Sequence, residues 1–98
     1  MWILRTITEG IEERVFRLLP GEPKTIGRAT GATFIVDAAL VSRVHCRLTV
    51  LPGGDLEVTD LESTNGTFVN GTRIETARLA PGDTLQVGRV EMVVMKET

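Results

Sequence analysis

The chain has 98 residues, enough for one domain around one core, and its 42% apolar content is ordinary for a globular protein. A net charge of −2 is the wrong balance for nonspecific binding to phosphate backbones, while one cysteine and one histidine exclude an internal disulfide and argue against a built metal cage. No apolar run approaches the roughly 18 residues needed to cross a bilayer, and Arg5 interrupts Met1-Trp2-Ile3-Leu4 before a secretory signal can form, so a soluble, cytoplasmic protein is expected.

Short β-prone runs broken by turn signals predict an all-β sandwich, read as a single domain over 1–98. Trp2 to Thr8 reads as a strand, with Trp2 and Leu4 on one face and Ile3 and Ile7 on the other. Glu13 to Leu19 fits a helical stripe as well, but its length and Pro20-Gly21 just after it favour a strand and a turn. Lys24 to Gly27 and Thr33 to Asp37 are short strands. Val44 to Leu51 alternates: Val44, Cys46, Leu48 and Val50 share the inner face, and His45, Arg47 and Thr49 the outer.

Pro52-Gly53-Gly54 turns that strand into Asp55 to Asp60, with Leu56 and Val58 inward. Thr67-Phe68-Val69 and Thr72-Arg73-Ile74 form a second hairpin around Asn70-Gly71, the pair that a type I′ turn favours. Pro81-Gly82-Asp83 is another turn, and Thr84 to Val87 and Val90 to Lys96 close the sheet through Gly88-Arg89.

Two polar loops, 37–43 and 61–66, and the segment after Gly27 lie between these strands. If one end of the sandwich collects them, Arg28, Ser42, Arg43, Thr64 and Asn65 converge. Those groups suit a phosphorylated peptide. A phosphoryl group offers about −1.5 to −2 charges and three acceptor oxygens. Arginine meets it with a planar fork, hydroxyls satisfy further oxygens, and asparagine both donates to and accepts from an extended backbone.

Gly27-Arg28, Ser42-Arg43-Val44-His45, Ser63-Thr64-Asn65-Gly66-Thr67 and Asn70-Gly71 follow one another in an order and spacing that resemble the forkhead-associated (FHA) domain. The resemblance covers nearly the whole chain. It implies an eleven-stranded sandwich of two twisted sheets with recognition loops at one end. It further implies that Arg28, Ser42 and Thr64 bind phosphate, that Arg43 and Asn65 contact the peptide, and that Gly27, His45 and Gly66 support the loops. The implied partners are phosphothreonine-containing proteins, the products of a Ser/Thr protein kinase, with no cofactor, metal, nucleic acid or membrane. Phosphothreonine is preferred to phosphoserine through a small apolar pocket for its methyl group. Three features depart from the family pattern: Ala29 to Ala32 lacks polar and charged residues, Thr33-Phe34 stands where Asp-Ile is common, and Val44 replaces a polar residue.

Each residue also has a plainer reading. Arg28, Ser42, Thr64 and Asn65, each taken alone, are turn residues. Arg43 could pair with Asp37 or Glu62 instead of a ligand, and Asp60 and Glu62 read as solvated strand-end carboxylates. Cys46 falls on the inner face as a small core hydrophobe. Ser42 beside His45 could suggest a nucleophile and base, but no Gly-x-Ser-x-Gly accompanies them, and a structural histidine bonded to loop backbone is favoured. The chain is therefore read as a non-enzymatic binding module. Its alternative is a phospho-independent scaffold using a sheet face. Four aromatic residues are too few for a single-strand nucleic-acid platform. Met1 is read as a natural N-terminus, and whether a longer chain follows the last strand stays open.

Overall fold

The structure is a computed structural model that describes residues 1–97. Eleven strands occupy it: β1 Trp2–Thr6, β2 Val15–Leu18, β3 Lys24–Gly27, β4 Phe34–Ile35, β5 Cys46–Val50, β6 Leu56–Asp60, β7 Thr67–Val69, β8 Thr72–Ile74, β9 Thr76–Leu79, β10 Thr84–Val87 and β11 Val90–Lys96. They form a six-stranded sheet, β2-β1-β11-β10-β7-β8, and a five-stranded sheet, β4-β3-β5-β6-β9. The region after Pro20 is a turn and the segment before it a strand, as the length argument requires. No helix of the described residues is long and apolar enough to cross a membrane.

Alternation builds the core. Leu4, Leu85, Met92 and Val94 of one sheet face Ile26, Cys46, Leu48, Leu56 and Val58 of the other, all fully buried. The two sheets are also clamped at their margins. Phe16 of β2 stacks on Phe34 of β4 with ring centroids 4.7 Å apart. The Trp2 indole N–H donates to the Gly54 carbonyl at 2.8 Å, tying β1 to the β5–β6 turn. Burial and, secondarily, the Asp60 carboxylate push the Cys46 thiol up to about 12, so it stays neutral and acts as a small apolar core residue.

The structure departs from sequence expectation at several points. β9 was not anticipated; it is a four-residue edge strand in which Ala77 and Leu79 face the core between exposed Thr76 and Arg78, too short an alternation to stand out directly after β8. β3 and β4 pair in parallel within an otherwise antiparallel sandwich. Val44 and His45 exchange their expected environments: Val44 is exposed and His45 is fully buried. Regular β5 starts only at Cys46, so strand alternation does not govern the two residues before it.

Candidate functional site

The site grows from β3. Ile26 anchors the strand in the core, and the chain beyond Gly27 keeps pairing with the segment that leads into β5. The Arg28 amide donates to the Ser42 carbonyl at 2.9 Å, and the Ala29 amide to the Arg43 carbonyl at 3.2 Å. A Cβ at Gly27 would sit 2.0 Å from the Arg43 carbonyl oxygen, so only glycine permits this approach.

The 37–41 loop bends back over the core, with Val41 buried as its anchor. Leu40 turns the chain at a φ of 70°. Its carbonyl lies against Gly88, where a Cβ would come within 2.8 Å. The 61–66 loop meets it from the other side. The Thr64 amide donates to Ser42 Oγ at 3.1 Å, and Asn65 Nδ2 donates to the Leu40 carbonyl at 3.1 Å.

Arg28, Ser42, Thr64 and Asn65 thereby line one open cleft of about 450 Å³, together with Asp37 and the aliphatic run Ala38 to Val41. Their remaining polar groups define what the cleft can hold. Arg28 spends Nε on the Val41 carbonyl at 3.0 Å, which leaves the two terminal nitrogens without an acceptor among the described residues. Ser42 Oγ has accepted an amide, so its own proton is available to donate. Asn65 uses one amide hydrogen internally and keeps its carbonyl and second hydrogen. Cation, hydroxyl and amide are presented together, the set that an oxyanion on an extended chain requires. Arg43 is exposed and does not line the cleft; its side chain pairs with neither Asp37 nor Glu62.

His45 supports both loops from beneath. Its Nδ1 accepts the Ser42 amide at 3.1 Å, so Nε2 carries the proton and donates to the Gly66 carbonyl at 2.8 Å. Neither ring nitrogen addresses the Ser42 hydroxyl, which disposes of a serine–histidine nucleophile pair. Gly66 sits at a φ of 91°, and its amide donates to Ser63 Oγ at 3.0 Å.

Asp60 corrects the reading of a solvated carboxylate. Oδ1 accepts from Ser63 Oγ at 2.5 Å and from Thr67 Oγ1 at 2.7 Å, and Oδ2 accepts the Ser63 amide at 3.3 Å. Partial burial alone would raise its pKa. The hydrogen bonds from Ser63 and Thr67, with the nearby His45, outweigh that and hold it below the usual carboxylate value. The sequence placed loop 37–43 at this end but assigned no cleft role to Asp37 to Val41, and the Asp60–Ser63–Thr67 hub was missed. For the hub a signal existed: two hydroxyl residues spaced closely after an aspartate at a strand end. Among the described residues no cluster of His, Cys, Asp or Glu is placed to hold a metal ion.

The FHA domain family matches residues 24–88, which contain every side chain of this cleft and of the loop supports beneath it. The chain belongs to the FHA domain family. It is 41% identical over 75 residues to the ABC transporter ATP-binding/permease protein Rv1747 of Mycobacterium tuberculosis, covering 76% of this chain and 9% of that protein. It is 38% identical over 80 residues to the glycogen accumulation regulator GarA of Mycolicibacterium smegmatis, covering 81% of this chain and 50% of GarA. The chain thus spans half or less of the length of these two curated relatives. An FHA structure solved in a study of phosphothreonine-dependent FHA domain interactions superposes with a TM-score of 0.87 at 32% identity, covering 99% of this chain and 97% of that one. The eleven-stranded, two-sheet architecture is the family's fold.

Proposed function

We propose that this FHA domain is a phosphothreonine-dependent interaction module, docking segments of partner proteins that a Ser/Thr protein kinase has phosphorylated. The observation that carries the reading is the cleft in which Arg28, Ser42 and Asn65 each retain unspent polar groups while their other atoms fix the loops. Such preorganisation lowers the ordering cost of binding. Arg28, Ser42 and Thr64 take the phosphate, and Asn65 holds the peptide backbone. Arg43, outside the cleft lining, is assigned to the peptide residues beyond it.

Ala38, Ala39 and Leu40 supply aliphatic contact beside the phosphate position. Burying one methyl group there is worth about 0.8 kcal/mol, or about a fourfold preference for phosphothreonine over phosphoserine. The kinship to an FHA domain studied for phosphothreonine-dependent interactions supports the same assignment.

Titration with matched phosphothreonine, phosphoserine and unmodified threonine peptide libraries tests it. Binding in that order of strength, with the unmodified library inert, is expected. Equal binding to all three would overturn the reading and leave the domain as a phospho-independent scaffold.

A further inference from the structure

One residue of the cleft has the wrong sign for a dianion. Asp37 is exposed, lines the cleft with Arg28, and has neither an ion-pair partner nor a hydrogen-bond donor to its side chain among the described residues. It would repel a phosphate rather than attract it.

Asp37 also belongs to a second cleft of about 270 Å³, between the β1–β2 connection and β4. Ile11 and Ile35 give this cleft aliphatic walls, and Ile35 is 41% exposed. Its other charges are Glu12 and Arg14, which pair with each other at 3.4 Å. The Asp37 carboxylate is therefore the one charge of the second cleft without a partner among the described residues, and it stands where the two clefts meet.

Aliphatic walls ending at an unpaired carboxylate fit a long side chain with an apolar stem and a cationic head. An acidic side chain in the same place would meet like charge from Asp37, the Glu12–Arg14 pair adding no net charge. We propose that the bound phosphothreonine segment carries a lysine or arginine on the flank that crosses Asp37, its stem against Ile11 and Ile35 and its head at Asp37. The proposal rests on the reading of the first cleft as the phosphothreonine site. It adds a chemical class for the neighbouring residue, and it gives Asp37 a role in selecting phosphopeptide ligands.

The test titrates phosphothreonine peptides in which lysine or glutamate is placed in turn at each flanking position. Wild-type protein, Asp37→Asn and Glu22→Gln are compared. Glu22→Gln removes an exposed carboxylate that lines neither cleft and so controls for net charge. For an exposed pair the expected gap is about two- to fivefold in favour of lysine, at positions on one flank. The gap should close in Asp37→Asn, survive in Glu22→Gln, and shrink at high salt. A lysine preference equal at all positions and unchanged in Asp37→Asn would overturn the proposal, as would no preference at all. If phosphorylated and unmodified peptides bind alike, the reading of the first cleft falls and the proposal with it. If phosphate dependence holds and the gap is absent, the proposal alone falls.

Discussion

His45 Nε2 donates to the Gly66 carbonyl at 2.8 Å while Nδ1 of the same ring accepts the Ser42 amide at 3.1 Å. One fully buried side chain thus sets the separation of the two loops that carry the cleft. Replacing it with alanine leaves a part-buried amide and a buried carbonyl unpaired and opens a cavity. A loss of about 2–5 kcal/mol is expected, each orphaned group costing about 1–3. Urea denaturation measures it, and a change within about 0.5 kcal/mol would contradict the account.

Gly27 and Gly71 give a paired test of why glycine stands at each. Gly71 has a φ of 83° and open space around it, so Gly71→Ala should cost only about 1–2 kcal/mol of left-handed strain. At Gly27 a Cβ collides with the Arg43 backbone at 2.0 Å, and the β3 extension must separate from the segment before β5. Gly27→Ala should therefore lower the melting temperature much further than Gly71→Ala, and it should weaken peptide binding as Gly71→Ala does not. Equal effects in thermal melts would refute the close-approach argument.

Asp60 links loop stability to pH. Its folded pKa lies below its unfolded one, so the carboxylate contributes stability above the unfolded value of 3.8, and that contribution is lost as pH falls through the folded value. Asp60→Asn should be destabilised by about 1–3 kcal/mol at neutral pH, because Ser63 and the buried Thr67 lose their charged acceptor. The difference from wild type should stay constant between about pH 5 and 8 and narrow below about pH 4. Denaturation curves in which it widens in acid would reverse the assigned sign.

Peptide affinity should follow a different acid transition. The phosphate takes up its second proton near pH 6, which removes charge from the group facing Arg28. Binding should weaken from about pH 7 to pH 5, in a range where Asp60 holds the loops unchanged. A flat affinity profile by calorimetry would argue against recognition of the dianion.

Much of this was legible because neighbouring residues carried it. The β5–β6 hairpin showed in the alternation of Cys46, Leu48, Leu56 and Val58, and the β7–β8 hairpin in Asn70-Gly71, whose φ values are 50° and 83°. The motifs around Arg28, Ser42 and Asn65 are compact and made of uncommon combinations, so the cleft's polar rim could be read as well. What escaped depends on contacts distant in sequence. His45 was expected outside because alternation places it there, and only the 61–66 loop folding over it makes it buried. Asp60 is the exception: its partners Ser63 and Thr67 follow within seven residues, in the next loop and at the start of β7, and that local signal went unread. The aliphatic 38–41 wall has no polar pattern, and the positive φ of Leu40 has no signal in leucine itself; its counterpart is Gly88 on another strand connection.

Arg28 is the cationic side chain of the cleft. Its Nε is engaged with the Val41 carbonyl, its terminal nitrogens have no acceptor among the described residues, and the residue lines the cleft. The most direct measurement is calorimetric titration of wild type and Arg28→Ala with one phosphothreonine peptide and its unmodified form. Tight binding is expected only for the phosphopeptide with wild-type protein. Arg28 is exposed, so losing its charge-assisted hydrogen bonds to the phosphate should cost about 1.5–3 kcal/mol, or about tenfold to 150-fold in Kd. Equal phosphopeptide affinity in the two proteins, with Arg28→Ala still folded, would contradict it.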